Sequence, residues 1–107
     1  METRKIKRGP RRLDFMDIKH VAGKKKGKVM LYALSTCGWC KKTKALFSEL
    51  GVEYDYTDVD LLKGDERNEA LKIISKFNPE GNFPTIIIND RRCIVGYKED
   101  DIRKALG

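Results

Sequence analysis

Two cysteines at close spacing, in Cys37-Gly38-Trp39-Cys40, are the residues of this chain best suited to covalent chemistry. Thiols so placed can form and reopen a disulfide, or supply half of a zinc site. The elements around the pair decide between the two. An apolar run, Val29 to Leu34, leads into it and helical spacing follows it, which predicts Cys37 at a strand-to-helix junction. Free N–H groups and the helix macrodipole favour negative charge there, and a thiolate is the nucleophilic form of cysteine. Lys41 and Lys42, one turn on, act in the same direction. Cys37 is therefore predicted to attack. Cys40 lies close enough to cleave a mixed disulfide but faces inward, which suits a protonated, resolving thiol. A zinc site would need Cys93 and His20 to complete a Cys₃His set, without ligand spacing and with its first half at a helix start. No metal is expected.

The elements that must hold this pair are legible from periodicity. Val29-Met30-Leu31-Tyr32-Ala33-Leu34 lacks alternation, as expected of a central strand buried on both faces. Ser35 and Thr36 can cap a helix carrying Cys40, Ala45, Leu46 and Leu50 inward, and Gly51 stands where a left-handed C-terminal cap belongs. Val52 to Tyr56 alternates apolar and acidic residues, the pattern of a half-exposed strand near an edge. Asp65 to Phe77 is predicted helical from Ala70, Ile73, Ile74 and Phe77. Pro84 to Ile88 and Cys93 to Val95 form a predicted hairpin, and Glu99 to Asp101 open a final helix. The order β-α-β-α-β-β-α makes the first two strands parallel and the last two antiparallel. The expected class is α/β: a four-stranded mixed sheet with helices on both faces. Before it, Leu13, Phe15, Ile18 and Val21 suggest a short, weakly held strand. A tight turn, Gly23 to Gly27, follows, so this strand either hops over a neighbour to an outer edge or stays outside the sheet.

The 107 residues suffice for one domain, and three cysteines cannot staple it. The longest apolar run, six residues, is far below the roughly 20 that span a bilayer. Net charge is +7, unevenly placed: residues 1 to 28 hold 11 Lys/Arg against 3 Asp/Glu, while the remainder holds 12 against 13. The expected division is a basic, partly disordered extension over residues 1–27, with Met1 to Arg12 mobile, and a redox domain over residues 28–107. An arm without an apolar leader segment fits a cytoplasmic, reducing setting. Clustered cations could contact nucleic acid, but Phe15 is the arm's one aromatic and no recognition pattern is present. The first expectation for the arm is a solvating tail, with docking on an acidic reductase or client standing level with nucleic-acid contact behind it. His20 is expected to be solvated and Cys93 to pack as a small apolar residue. Ser-His-Asp sets, carboxylate dyads and Gly-rich phosphate loops are absent.

Three motifs in order then carry a family resemblance: Leu31 to Cys40, Asn82-Phe83-Pro84-Thr85, and Val95 to Asp101. They resemble the redox motif, the Pro loop and the C-terminal Gly-to-Asp segment of glutaredoxins, over about residues 28–107. The resemblance implies a thioredoxin-like fold with a cis Phe83–Pro84 bond, Cys37 and Cys40 catalytic, and Trp39, Phe83, Pro84, Thr85, Gly96 and Tyr97 beside the substrate. Gly38-Trp39 replaces the usual Pro-Tyr, Leu34 stands at an often basic position, and Gly96-Tyr97 replaces Gly-Gly. Those departures fall where the family holds glutathione and bring the chain closer to NrdH-type redoxins, electron donors for ribonucleotide reductase recharged by a thioredoxin reductase. The implied activity is reduction of protein disulfides by a monomer without a cofactor, with glutathione dependence or a 2Fe–2S cluster as the alternative.

Overall fold

A computed structural model of the chain describes residues 17–107. The expected mobile segment Met1 to Arg12 and the Leu13 and Phe15 half of the early alternation lie outside the described residues. Five strands, β1 (Lys19–Val21), β2 (Val29–Ala33), β3 (Tyr54–Asp58), β4 (Thr85–Ile88) and β5 (Arg92–Val95), form one sheet in the order β1-β3-β2-β4-β5. Three helices, α1 (Gly38–Leu50), α2 (Gly64–Phe77) and α3 (Glu99–Leu106), and a 3-10 turn, Val59–Leu61, complete the described chain. β2 and β3 are parallel and β4 and β5 antiparallel, as their connections require.

The sheet has five strands, not the expected four. The fifth is β1, which hops over β2 and pairs antiparallel with β3, placing Lys19, His20 and Val21 opposite Tyr56, Asp55 and Tyr54. It forms because β3 would otherwise present an unpaired edge. Thr57 Oγ1 donates to the Asp17 carbonyl at 2.9 Å, so the chain enters β1 beside the C-terminal end of β3. The turn that follows returns along the sheet's other end, where Lys24 N–H donates to the Gly51 carbonyl and Glu53 N–H to the Lys24 carbonyl, both at 2.8 Å.

Burial on both faces explains why the β2 run does not alternate. Val29, Leu31 and Ala33 join Leu46, Phe47, Ile86 and Ile102 in a core under α1 and α3, while Met30 and Tyr32 join Ala70, Ile74 and Ile87 under α2. Each fully buried large side chain contributes about 1.5–3 kcal/mol of transfer free energy. Within α1 the inward face is Cys40, Thr43, Leu46 and Phe47; Ala45 is exposed and Leu50 half-buried. Thr43 can be buried because its hydroxyl donates to the Trp39 carbonyl at 2.8 Å. Gly51 ends the helix at φ 68°, a left-handed conformation that side chains disfavour.

Candidate active site

The loop from β2 into α1 builds the centre of the site. Cys37 N–H donates to the Leu34 carbonyl at 3.2 Å, closing a turn over Ser35 and Thr36. The residue that caps α1 is therefore Cys37 itself, in place of the expected Ser35 or Thr36. Its backbone is extended, at φ −85° and ψ 119°, and its Sγ accepts from the Cys40 N–H at 3.2 Å. A sulfur in this position faces the free N–H groups of the helix start, where negative charge is favoured. Cys37 is half-exposed, Cys40 has no exposed surface, and both are free thiols. Burial, and after it the hydrogen bond with Cys37, holds the Cys40 thiol well above the ordinary cysteine range; the nearby Leu34 backbone and Lys44 oppose this less strongly. One thiol is accessible and capped, its neighbour sealed and protonated.

Trp39 projects from the same helix start and is 57% exposed. Its ring stacks on Tyr97 at 5.8 Å between centroids, and Lys42 Nζ lies 5.0 Å from the centre of the Trp39 ring. The stack joins α1 to the segment after β5. That segment also holds the Pro loop: Gly96 N–H donates to the Pro84 carbonyl at 2.8 Å, and the Phe83–Pro84 bond is cis. Gly96 has φ 86° and open space where a Cβ would stand, so conformation and not crowding calls for glycine there. Phe83 is half-buried between the two cores. Thr85 is fully buried, its hydroxyl donating to the Asn82 carbonyl at 2.7 Å and accepting from Asn78 Nδ2 at 3.1 Å. It secures the Pro84 loop and presents no side-chain group to solvent.

Asp60, which the sequence reading did not single out, reaches the redox loop from the 3-10 turn. Its carboxylate accepts from Ser35 N–H at 2.8 Å and from Ser35 Oγ at 2.6 Å, and these bonds hold it below the usual carboxylate range. The two residues that would have completed a zinc site are far apart: His20 lies on edge strand β1 and Cys93 on edge strand β5. His20 is exposed, as expected, yet its Nδ1 hydrogen-bonds Asp55 Oδ1 at 2.6 Å. Cys93 is half-buried and is the second residue of its strand. Among the described residues, no three His, Cys, Asp or Glu side chains gather to hold a metal ion.

Residues 29–93 match the sequence profile of the family Glutaredoxin. The chain belongs to the glutaredoxin family. A glutaredoxin-like 8.6 kDa protein in a rubredoxin operon of Clostridium pasteurianum is 31% identical over 78 residues, covering 73% of this chain and 96% of that protein. Among solved structures, the glutaredoxin of Methanosarcina mazei Go1 is 54% identical with a TM-score of 0.80, covering 84% of this chain and 87% of that one. Methanoredoxin of Methanosarcina acetivorans is also 54% identical, with a TM-score of 0.77 over 79% and 90%. Glutaredoxins are thiol–disulfide oxidoreductases with a thioredoxin-like fold, and this chain shares both the fold and the Cys-x-x-Cys spacing at Cys37 and Cys40.

Proposed function

We propose that this glutaredoxin is a dithiol–disulfide oxidoreductase that reduces protein disulfides as an electron donor. The observation that carries the reading is the pairing of an accessible, helix-capping thiol at Cys37 with a wholly buried thiol at Cys40. The Cys37 thiolate attacks one sulfur of a client disulfide; a mixed disulfide forms and the client's other sulfur leaves as a thiolate that takes up a proton. Cys40 then gives up its proton and attacks Cys37 Sγ, which frees the second client thiol and leaves a Cys37–Cys40 disulfide. Two electrons and two protons from a reductant restore the dithiol.

Trp39 and Tyr97 offer a rigid aromatic surface to a protein client, and the backbone beside Pro84, near Phe83, Thr85 and Gly96, suits an extended peptide added as a strand. A thioredoxin reductase-type enzyme is the proposed reductant and ribonucleotide reductase one candidate client, with the protein acting as a cytoplasmic monomer. No helix of the described residues is long and apolar enough to cross a membrane.

Reduction of insulin disulfides tests the reading. Cys37→Ser is expected to abolish turnover, and Cys40→Ser to stop at a mixed disulfide recoverable by non-reducing electrophoresis. Full turnover in Cys37→Ser would sink the scheme. Supplying either glutathione with its reductase or a thioredoxin reductase system identifies the reductant: faster recovery with the second supports the proposal, and recovery with glutathione alone rejects that part of it.

A further inference from the structure

Asp60 stands outside the three motifs that mark the site, yet its carboxylate makes two hydrogen bonds to a residue of the redox loop. Its own position is fixed from three sides. β3 ends at Asp58, and the 3-10 turn that follows buries Val59 on one side of Asp60 and Leu62 on the other in the core under α2. Leu62 N–H donates to the Val59 carbonyl at 3.2 Å and closes that turn. Arg67 Nη2, from α2, donates to the Asp60 carbonyl at 3.1 Å. The carboxylate is thus carried by an anchored backbone and not by a free loop.

What it holds is the turn that sets Cys37. Ser35 gives Asp60 both its N–H and its hydroxyl, one to each carboxylate oxygen. Charge-assisted bonds of this kind are roughly twice as strong as neutral ones. Ser35 lies inside the Leu34-to-Cys37 turn, just ahead of the extended backbone that points Sγ at the Cys40 N–H. Released from Asp60, the turn would retain only the Cys37 N–H bond to the Leu34 carbonyl, and Sγ would spend less time against the helix start.

We propose that Asp60 is a positioning residue for the Cys37 thiol, acting through Ser35 as a clamp between the end of β3 and the redox loop. The inference rests on the dithiol reading of the site, and its test is separable from that reading. The rate of Cys37 alkylation by iodoacetamide reports the thiol directly, whether or not the protein turns over a client. Asp60→Ala removes both bonds and is expected to slow alkylation at neutral pH roughly tenfold, and Ser35→Ala, which keeps the N–H bond, roughly threefold. Asp60→Asn retains an acceptor for the Ser35 N–H and a donor for its hydroxyl oxygen but loses the charge assistance, so it is expected to fall between the parent and Asp60→Ala, roughly threefold slower than the parent. In insulin reduction the losses should appear in kcat while KM holds.

Wild-type alkylation rates in both Asp60→Ala and Ser35→Ala would overturn the proposal. So would an Asp60→Asn protein as slow as Asp60→Ala, since the hydrogen bonds it retains would then do nothing to set the thiol. Should Asp60→Ala fail to fold, Ser35→Ala decides alone, because it removes one hydroxyl and leaves the backbone bonds in place. Failure of the parent protein to reduce insulin would count against the proposed function while leaving the alkylation comparison intact.

Discussion

In the proposed scheme the resolving thiol must lose its proton, and burial of Cys40 holds that proton on until then. Its raised proton affinity has a consequence for stability. Between the ordinary cysteine value of 9.0 and the raised folded one, the native state retains a proton that the unfolded chain has released, so stability falls as pH rises through that window. Cys40→Ala is expected to flatten the alkaline limb of melting temperature against pH relative to the parent. Mass spectrometry after brief iodoacetamide treatment at neutral pH is expected to find Cys37 modified and Cys40 intact until denaturant is added. At this scale the sequence was informative about the two cysteines, because strand-to-helix placement and inward spacing are local properties. It was silent on Asp60, whose partner Ser35 lies 25 residues away, since only the parallel pairing of β2 with β3 brings the two ends together.

Among the elements, α1 carries both the chemistry and a large share of one core. Phe47 is fully buried and meets Tyr54 edge-on with ring centroids 4.7 Å apart. Phe47→Ala is expected to lower unfolding stability by about 3–5 kcal/mol in a urea titration. The Cys37–Cys40 hydrogen bond should then loosen with the helix. Burial of Thr43 in place of Ala45 could not be read from hydropathy, because a threonine is acceptable inside only once its hydroxyl finds the Trp39 carbonyl. β1 was legible only as a weak alternation for a related reason. Three half-polar residues carry little signal of their own and become a strand by pairing with β3. Asp55, and less strongly Glu53, raises the proton affinity of His20 across that pair. The stabilisation is full below the ordinary histidine value of 6.5 and fades as pH rises through the raised one. The protection of β1 amides relative to intrinsic exchange is therefore expected to fall over that window, and His20→Gln to remove that fall.

For the molecule as a whole, the two ends of the sheet have different neighbours. The redox loop, the Asp58 end of β3 and the point where the chain enters β1 share one end; the Lys24 turn lies at the other. Residues 1–16 hold six Lys/Arg and two Asp/Glu, and Asp17, the first described residue, lies at the redox end. If they steer acidic clients, kcat/KM for such clients falls steeply with salt, and replacing those six cations by serine flattens the slope. A client without acidic surface should show little change. The fold class and the mixed sheet were readable in advance because two-face burial, turn residues and connection lengths are strong signals; the place of Asp17 beside the redox end was not, since it depends on β1 crossing to the far edge. That crossing bears on how the protein is handled at the bench. A fluorophore or cross-linker attached at residue 17 itself sits at the end of the sheet that carries the redox loop, within reach of a docked client. The Lys24 turn, at the sheet's opposite end, is the quieter attachment point.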